Sequence, residues 1–307
     1  MKKILFASTA LVFGAGAASA DLAFSGLGRF GVTYVEERDV YTGDAAREDW
    51  ELHSRFQFDI AGTTEADNGI QFGAKVRMRI TSNGETMNGN GANGGYGFND
   101  PQFWVSSEGL TFEMGNVDYA LDNMPGLSYP APGLVGLEFI SPASDNIPGY
   151  GSNTVGGDQA VAALYEMDGF AAHISYIPAS ENTDMYVAYT FSGYTFALGY
   201  QDGDAYETEW AAAVSGSLAG VDWNISYADN GPDGDAYGLG GSYDVSSALS
   251  ISGFYGNVPG ISNIDPNDDD NYGLGAQYDL GGGASLRGAI GHVKGADAAD
   301  FGVVFNF

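Results

Sequence analysis

The stretch Ile70–Thr81 reads I-Q-F-G-A-K-V-R-M-R-I-T and alternates apolar and polar residues along its length. One set of alternate positions is apolar, and the other carries Lys75, Arg77 and Arg79. Because successive side chains of a β-strand point to opposite faces, the pattern predicts a strand with one apolar and one basic face. The whole chain has 11 Lys and Arg against 40 Asp and Glu, so three cations in a row need a specific explanation.

The first twenty residues combine a basic start, M-K-K, with an apolar run that ends in Ala18-Ser19-Ala20. This pattern predicts a secretory signal peptide at residues 1–20, followed by one domain at residues 21–307. A membrane anchor is the alternative, and the shortness of the apolar run disfavours it. No later stretch has eighteen consecutive apolar residues, so the pattern predicts no membrane-spanning helix there.

The composition excludes several classes of protein. A formal net charge of -29 argues against a nucleic-acid-binding surface, which must be basic. The chain has 19 Tyr and 18 Phe, too many for a disordered acidic chain. It has no cysteine, so neither its stability nor its chemistry depends on thiols.

Short alternating segments separated by turn residues recur along the chain and predict sixteen strands, among them Leu22–Val35, Leu52–Ile60 and Phe301–Phe307. The connections alternate between very short turns and longer polar loops, and tyrosines recur near strand ends. Both features are typical of a membrane β-barrel. We therefore predict an all-β fold, a transmembrane antiparallel β-barrel, with the apolar face of Ile70–Thr81 toward lipid and its basic face toward a water-filled lumen.

The alternation stops at residues 117–157, which contain five of the ten prolines. Loops of this length without secondary structure are uncommon and usually functional. The stretch is also rich in large apolar residues, which disfavours the alternative of a solvated domain linker. We expect this long loop to pack inside the rest of the protein.

Several features together resemble the Gram-negative general porins, in particular the sixteen-stranded porins of alphaproteobacteria. They are the signal peptide, the turn and loop asymmetry, the G-N-V-D stretch Gly115–Asp118 that opens the long loop, the basic strands before it and the terminal Phe307. The resemblance implies a homotrimer in the outer membrane, in contact with its lipid. It also implies passive diffusion of ions and small hydrophilic solutes through a channel that the inward-folded loop narrows.

In such a porin, acidic residues of the loop face a basic cluster on the opposite wall, and the matching residues can be named here. The basic wall is expected to be Arg29, Arg55, Lys75, Arg77 and Arg79, with His53 on the same polar face. The expected loop acids are Asp118, Asp122, Glu138 and Asp145. Charge arranged in this way sets selectivity in pores, and it requires no cofactor.

Two other classes of function remain as alternatives. An enzyme would need a nucleophile beside a base, and the three histidines, His53, His173 and His292, lie in no recognisable nucleophile motif. A structural or adhesive calcium-binding β protein without a conducting pore is the stronger rival. Its candidate calcium ligands are the carboxylates of Asp265, Asp268, Asp269 and Asp270, although solvated surface acids explain them as well.

Overall fold

The computed structural model describes residues 21–43, 47–82, 98–135, 137, 159–203, 206–262, 264, 265 and 267–307. Within these residues, sixteen antiparallel strands close into one barrel, in which each strand pairs with its neighbours in sequence and β1 pairs with β16. The predicted fold class and strand number are thus confirmed. The strands are β1 (Asp21–Val35), β2 (Trp50–Glu65), β3 (Gln71–Thr81), β4 (Gln102–Ser107), β5 (Leu110–Gly115), β6 (Ala160–Met167), β7 (Phe170–Ile177), β8 (Asn182–Phe191), β9 (Tyr194–Gly203), β10 (Tyr206–Leu218), β11 (Val221–Asp229), β12 (Asp235–Asp244), β13 (Leu249–Asn257), β14 (Asp270–Gly281), β15 (Ala284–Val293) and β16 (Ala296–Asn306).

In the described residues, two short helical elements accompany the strands, a five-residue helix α1 (Arg38–Thr42) and a 3₁₀ turn at Gly231–Asp233. No helix in the described part of the chain is both long and apolar enough to cross a membrane.

The barrel closes where the first and last strands meet. The register between them runs from Leu27 opposite Asn306 to Val35 opposite Ala298. Two further hydrogen bonds, from the Gly26 amide to the Phe307 carbonyl at 2.8 Å and from the Phe307 amide to the Gly26 carbonyl at 3.1 Å, extend it to the terminal residue. Closure removes the free sheet edges that would otherwise leave backbone groups unpaired in an apolar environment.

The wall of the barrel has its polarity reversed relative to a soluble protein. On β8, Val187, Tyr189 and Phe191 are exposed, whereas the alternate residues Asn182 and Asp184 are completely buried. The other strands repeat this pattern, with large apolar side chains outside and polar or small ones inside. A wall of this kind is stable only where its outer surface meets lipid, and it leaves a polar interior.

The two ends of the barrel differ in their connections. One end has tight turns such as Asp168–Gly169, in which both residues have positive φ (49° and 84°), as the favoured hairpin turns require. The other end has four long connections, at residues 36–49, 82–101, 116–159 and 258–269. Its remaining connections, at residues 178–181, 204–205, 230–234 and 294–295, are nearly as short as the turns. The predicted asymmetry thus rests on four loops and is not shared by every connection at that end.

Candidate functional site

The described part of the connection between β5 and β6, residues 116–135 and 137, folds into the barrel. We refer to it as the inner loop. Four of its large apolar side chains, Val117, Leu121, Leu127 and Leu137, are at most 1% exposed. They pack against inward-facing side chains of the wall and form the buried apolar clusters of the molecule. The expectation that this apolar segment packs inside the protein therefore agrees with the geometry of its described part.

The inner loop is fixed near its start by β7 and β8. The Ala120 amide donates a hydrogen bond to Ser175 Oγ at 3.0 Å, and the Leu121 amide donates one to Asp184 Oδ2 at 2.7 Å. The Ser175 hydroxyl donates in turn to the Asp184 carboxylate. Because hydrogen bonds to ionised groups are stronger than neutral ones, the Asp184 carboxylate is a firm first anchor for the loop.

Further anchors follow along the wall. Asn224 Nδ2 donates to the carbonyls of Gly126 and Ser128 at 2.9 and 3.1 Å. Ser226 Oγ donates to the Leu127 carbonyl at 3.0 Å. These bonds satisfy backbone groups that would otherwise be buried without partners.

The far end of the inner loop is held between β16 and β1. The Leu134 and Val135 amides donate to the two carboxylate oxygens of Asp300 at 2.7 and 2.9 Å. Arg29 Nη1 donates to the Leu134 carbonyl at 3.2 Å. The inner loop therefore follows the inner wall from β7 to β1 and is fixed at both ends by inward-facing aspartates.

Glycine lies beneath the inner loop because a side chain would collide with it. A Cβ atom placed on Gly240 would lie 2.2 Å from Pro130 Cδ, and one on Gly275 would lie 2.7 Å from Pro132 Cβ. On β8 to β12 and on β15 the same wall carries buried alanines: Ala188, Ala197, Ala211, Ala213, Ala228, Ala236 and Ala289. We call this part of the wall the small-residue track.

The five residues of the predicted basic wall lie on the inward faces of β1, β2 and β3, within one sector of the barrel. Arg77 lies opposite Asp59, and its Nε is 2.6 Å from Asp59 Oδ1, with both side chains less than one-fifth exposed. Arg79 donates from Nε and Nη2 to Gln57 Oε1 at 2.9 and 2.7 Å. The neighbouring strand thus supplies polar partners directly, whereas we expected these cations to face carboxylates across water.

The remaining members of the basic wall are Arg29, Arg55 and Lys75. Arg29 and Arg55 are directly opposite on β1 and β2, a placement in which like charges repel. Arg29 Nε donates to His53 Nε2 at 2.8 Å, so His53 joins the cluster as a neutral acceptor and not as a cation. Arg55 Nε donates to Thr81 Oγ1 at 3.1 Å.

Lys75 lies opposite Gln102 at the far side of the basic wall. Gln102 Nε2 donates to Glu113 Oε2 at 3.0 Å, which brings a β5 carboxylate close to this part of the wall. The basic wall therefore carries its own acids, Asp59 and Glu113, which sequence reasoning did not select. Their inward positions could have been read from the alternation, whereas their pairing depends on the strand register.

Of the four predicted loop acids, Asp118 and Asp122 lie on the inner loop, and Glu138 and Asp145 lie outside the described residues. The Asp122 side chain is open to the lumen although protein surrounds it. Desolvation inside the barrel raises the pKa of Asp122 to about 6, and the carboxylates of Asp118 and Asp184 add to this effect. Asp122 therefore changes charge in mildly acidic solution.

The four candidate calcium ligands are directed to separate partners. The Asp265 carboxylate accepts a bond from the Asn267 amide, Asp268 contacts His292 Nε2 at 2.8 Å, and Asp270 accepts one from the Tyr255 hydroxyl. Asp269 uses its backbone carbonyl to accept a bond from the Val258 amide. In the described part of the chain, no three His, Cys, Asp or Glu side chains come together as a metal site. Calcium binding by these four residues remains a prediction that the geometry does not favour.

Comparison with known proteins gives a consistent family. A family model described as Gram-negative porin matches residues 7–298. A porin of Fuscovulum blasticum is 34% identical over 188 residues, which are 60% of this chain. The match spans about half (53%) of the length of that relative.

Solved structures extend the comparison to the whole barrel. Two mutant forms of the Rhodopseudomonas blastica porin are 27% and 26% identical, and each has a TM-score of 0.77. The match covers 93% of this chain and 100% of theirs. A structure described under asymmetric conductivity of engineered proteins matches with the same TM-score of 0.77 and 26% identity. Since the family model covers nearly the whole chain, the protein belongs to the Gram-negative porin family of outer-membrane β-barrels.

Proposed function

We propose that the protein is a general diffusion channel that lets ions and small hydrophilic solutes cross the outer membrane. The reversed polarity of the closed sixteen-stranded wall carries this proposal. A barrel of this size is too wide for its own side chains to fill, so its polar interior holds water. The family supports the same activity, as does a structural relative that was described for the asymmetric conductivity of engineered proteins.

The narrowest part of the channel is proposed to lie between the inner loop and the basic wall. The inner loop is anchored to the wall from β7 to β1 and therefore narrows the lumen from that side. The basic wall on β1–β3 supplies fixed positive charge, and Asp118 and Asp122 supply negative charge from the loop. A transverse field of this kind orients water and polar solutes and disfavours large apolar ones.

We propose further that three copies form the working unit. Strands β4 and β5 have only six residues each. At roughly 3.3 Å per residue, a tilted strand of this length spans less than the ~25 Å apolar band of an outer-membrane barrel. The exposed outward side chains Phe103, Phe112 and Met114 continue the apolar surface there. A neighbouring subunit would cover this low part of the wall, and native mass spectrometry of the detergent-solubilised protein would count the copies.

Conductance in a planar lipid bilayer tests the channel directly. Purified protein should insert as steps of uniform conductance, and liposomes that contain it should swell in small sugars but not in large ones. A protein that inserts into the bilayer but gives neither current nor swelling would leave the rival function, a structural or adhesive barrel without a conducting pore.

A further inference from the structure

An apolar groove crosses the outer wall of the barrel from β7 to β11. Its volume is about 540 Å³, within the roughly 300–1,000 Å³ of sites that bind small molecules. In the described part of the chain, no acidic or basic side chain lines it. We call it the outer groove. Two rows of outward side chains line it, and they are Phe170, Tyr189 and Phe196 in one row and Val187, Leu198 and Tyr227 in the other.

One small residue produces a depression in the outer groove. Ala212 on β10 lies directly opposite Leu198 on β9 and Tyr227 on β11. Leu198 is 60% exposed, and Trp210, the preceding outward residue of β10, is 44% exposed. The single methyl group of Ala212 therefore lies below the level of the large side chains around it. A larger side chain at this position would fill the depression.

The outer groove lies in the half of the wall next to the short turns. Phe170 directly follows the Asp168–Gly169 turn. Tyr189 and Phe196 lie on either side of the Ser192–Gly193 turn, each three residues away from it. Since the short turns of outer-membrane barrels face the periplasm, the outer groove meets the periplasmic leaflet of the membrane.

The strands under the outer groove are long enough to face lipid on their own. Strands β8, β9 and β10 have 10, 10 and 13 residues. At roughly 3.3 Å per residue and a tilt of about 35–45°, strands of this length span the ~25 Å apolar band of the membrane. The short strands β4 and β5, where the subunit contact is proposed, do not. The outer groove therefore continues the lipid-facing surface, and lipid covers it in preference to a second subunit.

We propose that the outer groove binds one acyl chain of a phospholipid from the periplasmic leaflet. Neighbouring strands are about 4.8 Å apart, so a groove across five strands is roughly 19 Å long. One acyl chain spans half of the ~30 Å hydrocarbon core, or roughly 15 Å, and therefore fits this length. Because the strands tilt, the groove runs obliquely to the membrane normal, and the bound chain leaves the parallel packing of its neighbours. This site does not depend on whether the channel conducts.

Lipid binding to the full-length protein tests the proposal. The detergent-solubilised protein is titrated with dipalmitoyl phosphatidylethanolamine, and native mass spectrometry counts the retained lipids. The wild type should retain one lipid per chain more tightly than any further lipid. Ala212→Phe should weaken the binding of this lipid about tenfold, the effect expected when about two methylene groups can no longer be buried. Ala212→Leu fills less of the depression and should weaken it less. Ala276→Phe, the same change at an exposed alanine of β14 outside the groove, is the control and should leave it unchanged.

Cryo-electron microscopy of the protein in nanodiscs of the same lipid provides the second readout. The wild type should show an elongated density along the outer groove, and Ala212→Phe should lose this density while its barrel stays folded. The proposal is overturned if the groove of the wild type holds no ordered chain, or if both Ala212 variants retain lipid as the wild type does. A loss of bound subunits in Ala212→Phe, without a change in lipid binding, would place a second copy of the chain in the groove and overturn it as well.

Discussion

The inward face of β1–β3 differs sharply from that of β8–β14. The first carries Arg29, Arg55, Lys75, Arg77 and Arg79, and its four arginines bond to polar side chains of neighbouring strands. The second carries Gly and Ala beside a few polar anchors such as Asp184 and Asn224, has no Lys or Arg in its sequence, and is covered by the inner loop. The β1–β3 sector thus keeps large charged groups that need water. In the β8–β14 sector, the tightly packed loop leaves room only for small side chains where it touches the wall.

This difference shows how one sheet can serve two purposes. The strands of both sectors carry large apolar side chains on their outer faces, so the lipid does not distinguish the sectors. The inward side chains differ in size and charge between the sectors, and this difference decides against which strands the inner loop packs. The lumen is then bounded by the basic wall on one side and by the inner loop on the other.

The largest expected effect comes from removal of the charge of the basic sector. The combined change Lys75→Gln, Arg77→Gln and Arg79→Gln should raise the cation-to-anion permeability ratio several-fold, since fixed charge at a constriction sets ion selectivity. The reversal potential in a salt gradient measures this ratio. Arg79→Gln should account for part of this shift. Arg287→Gln, which removes an inward-facing arginine of β15 outside the basic wall, is the control and should shift it less. Equal shifts for the two single variants would mean that the basic wall has no special place in the pore.

The small-residue track should respond to added volume. Gly240→Ala places a methyl group 2.2 Å from Pro130 Cδ, and overpacking of this kind costs about 1–3 kcal/mol. Denaturant unfolding of the detergent-solubilised protein measures this loss. Gly62→Ala on the outward face of β2, away from the inner loop, would place its methyl 4.0 Å from its nearest neighbour and is the control; it should be neutral or slightly stabilising. If both variants behave alike, the inner loop does not pack against Gly240 as described.

The anchor at the far end of the inner loop should have a smaller effect. Asp300→Asn leaves one acceptor oxygen for the amides of Leu134 and Val135 and removes the charge, so the free energy of unfolding should fall by about 1–2 kcal/mol. Single-channel recordings should also show more current noise. Asp297→Asn, an exposed position on the same strand, should change the noise little. Quiet channels in Asp300→Asn would show that this anchor does not hold the loop.

The smallest expected effect is a pH dependence from Asp122. Because the pKa of its carboxyl is raised to about 6, this residue is neutral at pH 5 and ionised at pH 7. Cation selectivity should therefore rise as the pH increases through about 6, and the rise should be reduced in Asp122→Asn. Reversal potentials recorded between pH 5 and 7 measure it. A rise of the same size in the variant would assign the titration to another group.

Much of the fold could be predicted because alternation is a local signal. The strand predicted at Leu22–Val35 differs from β1 by one residue. The prediction Phe301–Phe307 missed the first five residues of β16, because A-D-A-A-D lacks large apolar residues on its outer face. Helix α1 was not predicted, since five residues are too few for a periodic pattern.

The site was predictable only in part. The basic wall could be read from the inward positions of β1–β3, and the apolar character of the long loop indicated that it packs inside. The anchors Asp184 and Asp300 were missed because each contacts the loop from a strand more than sixty residues away in sequence. The glycines of the small-residue track looked like those of turns and crowded strands, and only the docked loop explains their positions.

Accessibility of single cysteines tests most directly whether one sector faces water and the other is covered by the loop. The natural chain has no cysteine, so each introduced thiol reports alone. A charged, water-soluble thiol reagent should react quickly with Arg79→Cys and change its conductance. It should react at least tenfold more slowly with Ser226→Cys, because native Ser226 is 2% exposed and its hydroxyl donates a hydrogen bond to the Leu127 carbonyl. Equal rates at the two positions would contradict the account.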